Sequence, residues 1–188
     1  MIKRALLFSL LLSVFLLGCD NSQPKQVKRA VRHNIGRVID ISCLKRQLYS
    51  DTIAVIEEWE TPPLMIISEV SKTMCPECLV HYLIAAEYYI NLFKSDSICF
   101  VAVFSSESQL EIQDSISGIN PTKVKVFYDE KAEYLNNSGI KKVFGRWNVF
   151  LVDKNKKILL MGDPLGSLKV KDLYDKTIAE QLDKMKKQ

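Results

Sequence analysis

The chain has 188 residues, of which 47% are hydrophobic and 26% charged. That is enough for one globular domain with a real core and short of two. The net charge is +4, and Lys3 and Arg4 sit in a segment expected to be removed, so charge gives no case for a nucleic-acid binder. The lysines near the end, Lys184, Lys186 and Lys187, read as a solvated helix tail.

The first 18 residues read as a signal peptide: Lys3 and Arg4, then an apolar run from Ala5 to Leu17, then Gly18. The run is short for a spanning helix, which needs about 20 apolar residues. Leu16-Leu17-Gly18-Cys19 resembles the bacterial lipobox. That resemblance implies acylation of Cys19, cleavage before it, and a chain held at a bilayer by several acyl tails. Residues 19–34 are expected to be the lipidated cysteine and a flexible tether, because Asp20 onward carries little apolar content. His33 falls in that tether and points to no function. Asp20-Asn21 is not the strongly acidic stretch that a claim of surface export would need.

The folded part is expected over residues 35–188, where strand-like and helix-like segments alternate. Gly36 to Ile41 and Thr52 to Trp59 read as short strands. Leu64 to Val70, after Pro62-Pro63, reads as a buried central strand, and Glu77 to Phe93 as a helix. Ile98 to Phe104 is the clearest buried strand. Glu107 to Ser117 suits a helix closed by Gly118, Lys123 to Tyr128 a strand, and Glu130 to Asn136 a short helix. Val149 to Asp153 and Lys157 to Met161 flank a turn-competent Lys154-Asn155-Lys156, which is a hairpin signal. From Leu168, the residues Val170, Leu173, Tyr174, Ile178, Leu182 and Met185 form one apolar stripe at helical spacing. This order predicts an α/β fold.

Cysteine use points to the chemistry. There are five: Cys19, Cys43, Cys75, Cys78 and Cys99. The odd number excludes a simple paired framework. Cys75-Pro76-Glu77-Cys78 follows a predicted strand across a short loop and opens a predicted helix. There the first sulfur meets unpaired backbone N–H groups and the positive end of the helix dipole. Both favour thiolate, which makes Cys75 a candidate nucleophile. Pro76 suits a first helical turn, where its missing N–H costs nothing. Cys78 is placed to resolve a mixed disulfide by attacking Cys75. Three other readings of the pair stay open: a structural disulfide, half of a metal site, and a relic on a binding scaffold. A Cys₄ zinc site would need a second CxxC, which is absent, so no metal ligand set is assigned. Cys43 and Cys99 read as isolated core thiols. With only seven glycines and no glycine-rich phosphate loop, no nucleotide or flavin site is expected. The expected redox group is the Cys75–Cys78 disulfide itself, with no other cofactor.

At this point the chain resembles the thioredoxin-like superfamily, within it the TlpA-like thiol–disulfide oxidoreductases, and among those the lipoproteins of the Bacteroidota type. The resemblance covers about residues 35–182. It is carried by Ile35-Gly36, the Cys75–Cys78 motif after its strand, Ile98–Phe104, Val126-Phe127-Tyr128-Asp129, the unit from Phe150 to Ile158, and Gly162-Asp163-Pro164. It implies a thioredoxin-like fold, a central mixed sheet flanked by helices on both faces. It also implies thiol–disulfide exchange with exported proteins or a membrane electron donor, in the periplasm. Pro76-Glu77 resembles the pair of some cytochrome-maturation reductases, which leans towards reduction.

Further site residues follow from the resemblance. A buried carboxylate that assists proton transfer lies six residues before the first Cys, where Glu69 stands. His81, one turn past Cys78, is a second candidate, able to tune the sulfurs as an imidazolium. Two departures qualify the match. Met74 replaces the usual aromatic residue before the motif. The cis-proline place falls at Trp147, between Arg146 and Asn148, with no proline near. A cis peptide there would cost about 2.5–4 kcal/mol, so a trans bond is expected. Arg146, Trp147 and Asn148 are therefore the candidate substrate loop, and the missing proline keeps a non-catalytic scaffold and a metal-handling thiol protein as alternatives.

Overall fold

The computed structural model describes residues 22–48, 53–56, 59–70, 74–104, 116, 119, 121–129, 131, 133–143 and 148–187. Its elements run α1 (Ser22–Asn34), β1 (Arg46–Leu48), β2 (Ile53–Val55), β3 (Leu64–Val70), α2 (Pro76–Asn91), β4 (Ile98–Phe104), β5 (Val124–Tyr128), α3 (Glu133–Asn137), β6 (Val149–Val152), β7 (Ile158–Met161) and α4 (Leu168–Lys186). The expected signal peptide, Cys19 and nearly all of the predicted helix Glu107–Ser117 lie outside the described residues.

The seven strands form one mixed sheet in the order β2-β1-β5-β4-β3-β6-β7. β3 pairs parallel with β4, and β4 parallel with β5. β6 pairs antiparallel with β3, and β7 with β6. Every residue of β4 is buried, because it lies at the centre with neighbours on both sides and helices above and below. The β6–β7 turn is held by Asp153, whose Oδ1 accepts from the N–H groups of Asn155 (2.8 Å) and Lys157 (3.0 Å).

Two cores flank the sheet. On one face α2 and α4 bury Leu79, Leu83, Ala86, Tyr174 and Ile178 against Leu64, Ile66, Phe100 and Ala102. On the other, α1 and α3 cover Met65, Ile67, Val101 and Phe150 with Ala30, Tyr134 and Leu135. The alternation of β3 and β4 divides their side chains between these two layers.

Three sequence expectations need correction. Residues 22–34 are not a flexible tether but the helix α1. Val27, Ala30, Val31 and Asn34 recur at helical spacing and are half-buried or buried, so the helix has a contact face despite its polar composition. Asn34 fixes its end: Nδ2 donates to the Lys141 carbonyl at 2.9 Å, and the Lys141 N–H donates to Oδ1 at 3.0 Å. His33 is also engaged, against the carbonyl of Gly139 at 3.3 Å. Gly36 to Ile41 is not a strand; it runs beside the start of β7 and makes a single bridge, Val38 to Lys157. In α4, Leu173 leaves the predicted apolar stripe and is 56% exposed.

Candidate redox site

Cys75 is the N-cap of α2, with extended backbone at φ −67° and ψ 151°. Pro76 follows in the first turn, as its fixed φ favours. The Cys75 sulfur accepts a hydrogen bond from the Cys78 N–H at 3.1 Å, one of the donors that a helix start leaves unpaired. Cys75 and Cys78 are joined as a disulfide, with Cα atoms 5.1 Å apart. Cys75, Pro76, Glu77 and Cys78 are all exposed. The pair is thus open to solvent, at the C-terminal end of β3 and the positive end of a helix dipole.

The surrounding contacts hold α2 on the sheet. Ser68 of β3 and Tyr82, in the second turn of α2, share a hydrogen bond of 2.9 Å between hydroxyls. The Tyr82 ring meets Phe100 edge-on at 6.0 Å. Met74, in place of an aromatic residue, packs half-buried on the same core. At the far end Glu87 binds the start of β5. It accepts from the Thr122 hydroxyl (2.7 Å) and the N–H groups of Lys123 (3.0 Å) and Val124 (3.0 Å). Partial burial raises its carboxyl, but bonds from Thr122, Lys123 and Asn91 outweigh that and hold it below the ordinary value.

Glu69 is in phase with Met65 and Ile67, so its side chain belongs to the face opposite α2. Its Oε2 accepts from Asn148 Nδ2 at 2.8 Å, and its Oε1 from Lys142 Nζ at 3.3 Å. Asn148 is buried and also exchanges two bonds with Val143, each 3.0 Å. Glu69 and Asn148 are therefore brought together, and they fasten both ends of the segment from Val143 to Asn148 to β3. Arg146 and Trp147 lie outside the described residues. His81 is exposed one turn along α2, on a side it shares with the exposed Glu77, Ile84, Tyr88 and Leu92.

Cys43 and Cys99 are unsuited to exchange. Burial pushes the Cys99 thiol up to about 12. Burial, with Asp129 and Asp40 nearby, pushes Cys43 up to about 11. Among the described residues no group of three His, Cys, Asp or Glu side chains could hold a metal ion. A cavity of about 470 Å³ opens between Trp59, Pro62, Cys99, Lys123 and Lys125, at the edge where β3, β4 and β5 begin, away from the disulfide. Sequence reasoning missed Glu87 as the clamp on β5. Its only signal was an acid in the middle of a largely apolar helix stretch.

No protein-family profile and no curated protein matches the chain. Solved structures do. PrxQ of Xylella fastidiosa, in a cysteine-to-serine mutant form, is 15% identical with a TM-score of 0.53, over 79% of this chain and 97% of that one. The C-terminal domain of a Bacteroides fragilis protein is 14% identical with a TM-score of 0.50, over 74% of this chain and 95% of that one. A candidate thiol:disulfide interchange protein, DsbE of Chlorobium tepidum, is 17% identical with a TM-score of 0.48, over 63% of this chain and 80% of that one. The fold is thioredoxin-like, of the α/β class, and it presents a CxxC disulfide at the start of α2.

Proposed function

We propose that the protein is a membrane-tethered thiol–disulfide oxidoreductase acting outside the cytoplasm on exported proteins. The observation that carries this reading is the exposed Cys75–Cys78 disulfide with Cys75 as the cap of α2. In the reductive direction the Cys75 thiolate attacks one sulfur of a partner disulfide. A mixed disulfide forms and the partner's other sulfur leaves as a thiolate, which takes a proton. Cys78, deprotonated, then attacks the Cys75 sulfur and releases the partner's second thiol. Two electrons and two protons pass to the partner, and the Cys75–Cys78 disulfide reforms. A membrane electron donor restores the dithiol. The oxidative direction is the same sequence reversed.

Charge-assisted and dipolar stabilisation of the Cys75 thiolate is supplied by the helix start. In this reading Glu69 acts through the segment it holds with Asn148, and His81 is the ionisable side chain one turn from Cys78. The lipobox-like Leu16–Cys19 sequence supports an acyl anchor. Only Asp20 and Asn21 separate Cys19 from α1, so the domain would sit near its bilayer. The test is insulin reduction by the full chain, with labelled palmitate supplied during expression. Reduction is expected to be lost in Cys75→Ser, and label uptake in Cys19→Ala. Reduction that persists in Cys75→Ser rules the exchange reading out, and unlabelled wild-type protein rules out the anchor alone.

A further inference from the structure

The outward side of α2 is largely apolar past His81, with the exposed Glu77 at its start and Asn91 at its border. Cys78, His81, Ile84, Ala85, Tyr88 and Leu92 follow one another along that side and are all exposed. Ile84 is 51%, Tyr88 69% and Leu92 49% exposed. Beyond Glu77 the acid in this helix is Glu87, and its carboxylate is turned to β5. The opposite side buries Leu79, Leu83, Ala86 and Ile90. A helix with apolar residues on two opposite sides is normally enclosed on both; among the described residues this one is covered on its inward side.

We propose that this ridge docks the apolar segment flanking the cysteine of an exchange partner, a reading that rests on the exchange function above. Three observations choose this occupant. The ridge starts at the exposed Cys78, so a chain held in a mixed disulfide at Cys75 lies at its upper end. Its length is about 21 Å, at a rise of about 1.5 Å per residue, and its area is on the order of 200 Å² at a helix width near 10 Å. A stable dimer buries about 800 Å² per partner, whereas brief redox encounters use less. Finally, α1, which follows the anchor, covers the other face of the sheet, so the ridge is turned from the side that carries the tether. The apolar contacts hold the partner while sulfur is exchanged, and the small area lets it leave.

The test uses the full chain, reduced and reconstituted in lipid nanodiscs, with three oxidised probes. These are glutathione disulfide and two disulfide-linked peptides whose cysteine is flanked by Leu and Phe or by Ser and Glu. The wild type is expected to react about tenfold faster with the Leu/Phe peptide than with the Ser/Glu peptide. Ile84→Lys with Tyr88→Glu is expected to erase that preference and to leave the glutathione disulfide rate within about twofold. Tyr88→Ser, a milder change at an exposed position, is expected to reduce the preference part way. Equal wild-type rates, or a preference that survives the double substitution, overturn the proposal while the exchange reading stands. A doubled mass in sedimentation that the double variant abolishes gives the ridge to a second copy and also overturns it. Failure of the wild type to reduce any of the three probes removes the exchange reading, and the docking with it.

Discussion

α2 and α4 lie on the same face of the sheet and share one core, yet their outward sides differ in charge. α4 carries Lys169, Asp172, Lys176, Glu180, Asp183 and Lys184 outward, with Leu168 and Leu173 as isolated exposed apolar residues among them. α2 has only uncharged side chains between His81 and Leu92 on its outer side. Both meet the same demand inward, so the difference is not a packing requirement. A charged outer side is what a solvated helix needs. An apolar one costs solubility, so the difference between the two helices marks where a visitor is expected.

The comparison breaks first if the inward sides are unequal. Leu83 of α2 and Ile178 of α4 are at most 1% exposed and belong to one cluster. Leu83→Ala and Ile178→Ala are each expected to destabilise by about 2–5 kcal/mol in urea unfolding. A cost below about 1 kcal/mol for Leu83→Ala would mean that α2 is loosely seated, and its outer side would then be only the exposed part of a poorly packed helix.

What the sequence disclosed follows the same division between inward and outward. β3 and β4 were legible to the residue, since Leu64–Val70 and Ile98–Phe104 sit at the sheet centre and, Ser68 and Glu69 apart, are apolar on both faces. The CxxC at a helix start was legible because its physics is local. α1 was not, because its contact face is four small or polar residues and its last bond partner, Lys141, is 107 residues away. The Glu69–Asn148 pair was hidden for the same reason: the two were named separately, and only the fold joins them across 79 residues. The ridge was hidden because Glu77, His81 and Asn91 make that side of the helix read as polar in the sequence.

A smaller effect separates the two helices by how they are fastened. α4 is joined to α2 by the Tyr89 hydroxyl, which donates to Asp175 at 2.8 Å. α2 is joined to β5 through Glu87. The folded state holds the Glu87 carboxyl below its ordinary value: burial works against this, and the bonds from Thr122, Lys123 and Asn91 prevail. Its contribution is therefore complete above the unfolded-state value and fades as pH falls through the folded one. Glu87→Gln is expected to cost about 1 kcal/mol at neutral pH, the site being partly open to solvent. In acid the variant and wild type should converge. A gap that stays constant from pH 7 to the acid transition would show that shape rather than charge makes the clamp.

The smallest stability effects should come from the outer sides, and they sharpen the comparison most. Tyr88 of α2 and Leu173 of α4 are 69% and 56% exposed, and neither fills a core position. Tyr88→Lys and Leu173→Lys are each expected to change stability by less than about 0.5 kcal/mol. Lysine is a good helix former, so neither change disturbs the backbone. The two should part company only in exchange kinetics with the Leu/Phe-flanked peptide, where Tyr88→Lys slows reaction and Leu173→Lys does not. If both slow it equally, the added charge acts through the general field of the domain and not through contact. If Tyr88→Lys instead destabilises by about 2 kcal/mol, the Tyr88 ring is part of the fold's own packing. Equal stability with unequal exchange is the combination that only a contact surface on α2 produces.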